Sequence, residues 1–115
     1  MYIALIKNFD GLTYYGNIPE IFGAPESSYE RFELTENERD FLIRDFVNPV
    51  NDVCGTLLDL GDIDFFDYKA CKKLINWLNK HIDKVKDEDN LRVYQALRVY
   101  CEQAIRLNTG IVVEL

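Results

Sequence analysis

The sequence predicts an α+β domain, in which a mixed or antiparallel sheet that includes both terminal segments packs against about three helices. Three observations point there. The chain opens with Tyr2–Ile6 and closes with Ile111, Val112, Val113 and Leu115, two short apolar runs that suit strands buried on both faces. From Tyr68 onward the apolar residues recur with the period of a helix. The 115 residues, 48% of them hydrophobic and including seven Phe and seven Tyr, suffice for one core without disulfide or metal support, so residues 1–115 are expected to form a single domain.

After the first strand, Asn8 to Ser28 is dominated by turn chemistry: Asp10-Gly11, Gly16-Asn17, Pro19, Gly23, Pro25 and Ser27-Ser28. A hairpin through Leu12–Tyr15 and then a long surface loop are expected, with Ile21 and Phe22 either exposed for binding or folded back over the core. Tyr29–Leu34 alternates, with Glu30, Phe32 and Leu34 on one side and Tyr29, Arg31 and Glu33 on the other, which suits a short edge strand. Thr35-Glu36-Asn37-Glu38 has capping-box spacing, so a helix should begin there, use Phe41, Leu42 and Phe46 as its apolar residues, and stop at Asn48-Pro49. Val53–Leu60 reads as β-prone, with Gly55 at a bulge and Gly61-Asp62 at a turn.

A second helix from Tyr68 aligns Cys71, Leu74, Ile75, Leu78, Ile82 and Val85 on one stripe and leaves Lys69, Lys72, Lys73, Lys80 and Lys84 outside. Asp87-Glu88-Asp89 places acids at the positive dipole end of a third helix, whose Val93, Ala96, Leu97, Tyr100, Cys101, Ala104 and Ile105 face inward and which Gly110 closes.

The formal charge is −7, and it is unevenly spread. Residues 1–66 hold thirteen acids against four bases, or −9; residues 67–115 hold seven against nine, or +2. Nucleic acid and anionic lipid reward clustered Lys and Arg, so neither is expected as a direct partner, and a basic protein is the natural one. Cys54, Cys71 and Cys101 are an odd number at long spacings without a CxxC pair, which fits a reduced intracellular protein without a zinc site. MYIALIKNF lacks a basic leader and a cleavage site, and no apolar run approaches the length of a membrane span; the expected location is cytoplasmic.

The stretch LDLGDIDFFDYKAC, residues 58–71, carries Asp59, Asp62, Asp64 and Asp67 among large apolar side chains. Counted from Asp62 as an EF-hand loop, the fifth, sixth and twelfth positions are Phe66, Asp67 and Lys73, so that motif fails. A magnesium site from Asp62, Asp64 and a distant acid is a further alternative. Asp67 is explained as an N-cap, with Phe66 stapled onto Cys71 one turn on. Asp62 and Asp64 would then share one side of an extended segment, opposite Ile63 and Phe65, either solvated or facing a basic partner. His81, the only histidine, lies four residues beyond Trp77 at the boundary of a helix, and no phosphate loop, nucleophile elbow, HExxH or Cys-His pair is present, so no catalytic residue and no cofactor are assigned.

The portion from FFDYKACKKLINWL to GIVVEL, together with small size, acidity and the aromatic loop, resembles bacterial immunity proteins, the cytoplasmic antitoxins of contact-dependent inhibition and related toxin systems. The resemblance implies a stoichiometric inhibitor that is not an enzyme. Its expected partner is a cognate toxin, a nuclease with a basic cleft. The acids assigned to that contact are Asp59, Asp62, Asp64, Glu36 and Asp40, with Tyr15, Phe22 and Phe65 as aromatic anchors. Two alternatives stay open: a regulatory or scaffolding module or homodimer built through an exposed strand, and a metal-dependent hydrolase using Asp59, Asp62 and Asp64.

Overall fold

The structure, a computed structural model, describes all of residues 1–115. In chain order the elements are β1 (Tyr2–Ile6), β2 (Thr13–Tyr15), β3 (Ile18–Glu20), β4 (Tyr29–Glu33), α1 (Glu36–Asp45), α2 (Val47–Cys54), β5 (Ile63–Asp67), α3 (Tyr68–His81), α4 (Glu88–Leu107) and β6 (Gly110–Glu114). Single 3-10 turns at Glu26–Ser28 and Ile82–Lys84 lead into β4 and out of α3. The main sheet has the order β4-β1-β6-β5 and is antiparallel throughout, so both terminal strands are central, as expected. β2 and β3 form a separate hairpin.

Strand alternation sorts the sheet into two apolar faces. Ile3, Leu5, Phe66, Ile111 and Val113 face the helices and join Phe46, Leu74, Leu78, Tyr94 and Leu97 in the main core. Ala4, Ile6 and Val112 face the other way and are covered by Ile21, with Leu12, Ile18, Tyr29, Ile63 and Phe65 packed around them. The Asn8–Ser28 segment is therefore the second cover of the sheet. Its Ile21 folds back over the strands while Phe22 stays 92% exposed, so the two residues divide between the alternatives that the sequence left open.

The helix starts follow local chemistry. Thr35 accepts the Glu38 amide at 3.2 Å while the Glu38 carboxylate accepts the Thr35 amide at 2.9 Å, a complete capping box. Asp67 caps α3 through the Ala70 amide at 2.8 Å, and Asp87 caps α4 through the amides of Asp89 and Asn90. Phe66, immediately before the α3 cap, is fully buried in the same core as Cys71, whose thiol donates to the Phe66 carbonyl at 3.5 Å.

Three expectations are corrected. The first helix does not stop at Asn48-Pro49: it breaks at Phe46 and a second helix, α2, carries Pro49 in its first turn, where a missing N–H leaves no bond unmade. There are accordingly four helices, where about three were expected. Val53–Leu60 is not a strand either; α2 continues to Cys54, and Gly55, at φ 70°, is its left-handed C-cap rather than a bulge. Burial of Val47 and Val50 against the core outweighs the β-propensity of the segment. Finally, Asn108 at φ 54° terminates α4, and Gly110 is the first residue of β6. A Cβ at Gly110 would stand 2.6 Å from two ring carbons of Phe65 and closer still to the Phe66 carbonyl oxygen.

Candidate functional site

The segment between α2 and β5 is irregular yet closely held. The Asn51 side chain donates to the Leu58 carbonyl at 2.8 Å and accepts the Leu58 amide at 3.0 Å and the Thr56 hydroxyl at 2.8 Å. Asp64, from β5, accepts the Leu57 amide at 2.8 Å through one carboxylate oxygen and the Phe65 amide at 2.8 Å through the other. Clamped from both sides, the chain turns Leu58 into the core at 2% exposure and drives Leu57 outward to 85%. A turn at Asp59–Asp62, with Gly61 at φ 79°, follows, and Leu60 at its tip is 57% exposed. Val53, on the last turn of α2, is 43% exposed.

Acids surround these exposed side chains. From Asp45 to Asp67 the chain holds six carboxylates (Asp45, Asp52, Asp59, Asp62, Asp64, Asp67) and no Lys or Arg. The ion pairs of the structure join the N-terminal amine to Glu114, Lys7 to Glu30, Arg31 to Glu33, Arg39 to Asp40 and Arg92 to Glu38, so none draws on this stretch. Asp45 accepts the Tyr94 hydroxyl at 2.5 Å, and Asp67 is the α3 cap. Asp52, Asp59 and Asp62 are exposed and unneutralised beside Val53, Leu57 and Leu60.

The sequence-predicted residues divide. Asp59, Asp62, Asp64 and Phe65 lie along β5 and the turn before it. Asp64 and Phe65 share the lining of a cleft of about 310 Å³ with Asn17, Thr56, Asp67 and Lys69, which brings the β2–β3 turn, and with it the 73% exposed Tyr15, next to β5. Phe22 borders a second cleft with Ile63 and Glu114. Phe65 is half-buried: its ring covers Gly110 and meets Phe9 edge-on, with centroids 6.5 Å apart. Asp64 lies on the strand face opposite Ile63 and Phe65, whereas Asp62 precedes the strand and closes the turn, its amide bonded to the Asp59 carbonyl. Glu36 and Asp40 sit elsewhere, since α1 starts from β4, at the opposite sheet edge, three strand spacings or about 14 Å across. Asp40 is held by Arg39 at 3.0 Å. Leu57, Leu60, Val53 and Asp52 were missed. The missing Lys and Arg between Arg44 and Lys69 was the available signal, because an apolar run without balancing cations is unusual on a solvated loop.

The aspartates do not converge. Asp64 is occupied by two backbone amides, Asp59 accepts the Leu60 amide at 2.8 Å, and no group of three His, Cys, Asp or Glu side chains is placed to hold a metal ion. His81 stacks on Trp77 with centroids 4.1 Å apart, its Nδ1 2.8 Å from the Trp77 carbonyl oxygen. Cys71 and Cys101 are buried free thiols in contact, and that contact together with burial pushes the Cys101 thiol well above its ordinary value. Burial likewise pushes Cys54 up to about 11, so it is a poor nucleophile at neutral pH. No helix is long and apolar enough to cross a membrane. Comparison of the chain with protein-family models, with curated proteins and with solved structures returns no match.

Proposed function

We propose that this protein is a cytoplasmic immunity protein of the bacterial contact-dependent or polymorphic-toxin kind, which neutralises a cognate toxin by forming a stoichiometric complex and catalyses nothing itself. The observation that supports this is the pairing of opposites at α2–β5: Leu57 and Leu60, clamped into solvent at 85% and 57% exposure, stand among Asp52, Asp59 and Asp62, which have no cation of their own. Desolvating a leucine side chain is worth roughly 1.5–3 kcal/mol, so these residues serve as anchors while the carboxylates steer a basic surface such as a nuclease cleft. Rigid presentation lowers the ordering cost of binding, and the Asn51 and Asp64 clamps supply it. Tyr15 and Phe22 extend the contact along the hairpin side of β5.

The test is co-expression with the product of the adjacent upstream gene. A soluble one-to-one complex and protection from growth arrest are expected; failure of every neighbouring toxin to be bound or neutralised removes the proposal.

A further inference from the structure

The two edges of the main sheet are built differently. On β5, the Leu115 amide bonds the Asp62 carbonyl, so even-numbered residues face β6 and the groups of Ile63, Phe65 and Asp67 face outward. The outward amide of Phe65 is already taken by Asp64, and a side chain therefore blunts that edge against strand addition. On β4, the Lys7 amide bonds the Ser28 carbonyl and the Leu34 amide the Met1 carbonyl, which turns Ser28, Glu30, Phe32 and Leu34 toward β1. Tyr29, Arg31 and Glu33 thus direct N–H and C=O groups outward, and no side chain of the protein closes them.

We infer that two copies of this chain associate through β4, antiparallel about a two-fold axis at Phe32, into one eight-stranded sheet. The register follows from charge. A two-fold antiparallel pair places residues of equal parity opposite one another, and the axis can pass through Glu30, Arg31, Phe32 or Glu33. Centring on Glu30, Arg31 or Glu33 sets like charges face to face. Centring on Phe32 sets Arg31 of each copy against Glu33 of the other, twice, within hydrogen-bonded pairs. It also sets Phe32 against Phe32 on the helix side, in the closer non-hydrogen-bonded position that favours aromatic pairs. Arg31 and Glu33 already pair along the strand, at 41% and 60% side-chain exposure, and Arg31 lies 5.2 Å from the Tyr2 ring centroid, so both groups are held on the hairpin face where the second copy would meet them. Phe32 is fixed beneath the Arg92 guanidinium, 4.5 Å from its ring centroid. A five-residue edge buries less than the roughly 1,200 Å² of a standard interface, so the association is weak, with a dissociation constant on the order of micromolar. This edge lies across the sheet from the α2–β5 surface, and the dimer requires no toxin.

Sedimentation velocity of the purified full chain over a range of concentrations tests the inference. The apparent mass should rise from 13.5 kDa toward twice that value. Arg31→Glu and Glu33→Arg should each keep the protein monomeric, and the double reversal should restore association. Glu33→Pro, which removes an outward-facing amide from an edge position that tolerates proline, should also stay monomeric, with circular dichroism confirming the fold of each variant. A wild type that remains at 13.5 kDa up to about ten times the expected micromolar range, or a dimer indifferent to the single reversals, would overturn it.

Discussion

Gly110 has no left-handed backbone to accommodate; it is glycine because the Phe65 ring and the Phe66 carbonyl occupy the place of a side chain. Gly110→Ala should cost about 1–3 kcal/mol, or more if the strands cannot part, measured by urea denaturation. Asn51 acts through three hydrogen bonds to Thr56 and Leu58. Asn51→Ala should lower stability by about 2 kcal/mol and deprotect the Leu58 amide in hydrogen exchange. The tyrosines set an alkaline limit. Burial, reinforced by Glu114 and Glu30 respectively, pushes Tyr2 and Tyr100 up to about 12 from the ordinary value of 10.0, and burial with the Asp45 bond pushes Tyr94 higher still. The folded state thus holds these protons more tightly than the unfolded chain. The stability they contribute is complete below pH 10 and is lost as pH rises through about 12. Urea midpoints taken across this window should fall with pH, and Tyr94→Phe should make the fall shallower.

Among the elements, those governed by short-range chemistry were legible in the sequence. The caps at Thr35 and Asp67 each act on an amide three residues on, so spacing alone identifies them, whereas Asp87 was legible only as an acid at the dipole end of α4; Thr35→Ala should lose about 1 kcal/mol of stability in the same denaturation assay. The terminal strands were legible because each is buried on both faces and needs no partner to reveal its pattern. Residues 47–60 were not. Pro49 breaks a helix in most positions and starts one in a few, and what decides here is the burial of Val47 and Val50 in a core that spacing does not describe. Trp77 and Tyr94, both buried, widen the helix stripes beyond the residues expected on them for the same reason. Of the candidate site, the aspartates were visible as a cluster. The exposure of Leu57 and Leu60 was not, because it depends on the reach of Asn51 and Asp64 across the intervening loop.

At the scale of the molecule, the acidity of the first part of the chain is divided rather than pooled. Glu30, Glu33, Glu38 and Asp40 are neutralised around β4 and α1 by Lys7, Arg31, Arg92 and Arg39, whereas Asp52, Asp59 and Asp62 remain free at α2–β5. Removing charge from these two regions should therefore have unequal consequences. Asp40→Asn should leave toxin association unchanged, since α1 starts from β4, at the sheet edge opposite β5. The most direct measurement is the association rate constant for the cognate toxin, compared between wild type and an Asp52→Asn, Asp59→Asn, Asp62→Asn variant at low and high salt. The variant should associate at least about tenfold more slowly at low salt, and the two rates should converge at high salt. Equal rates at low salt would contradict this.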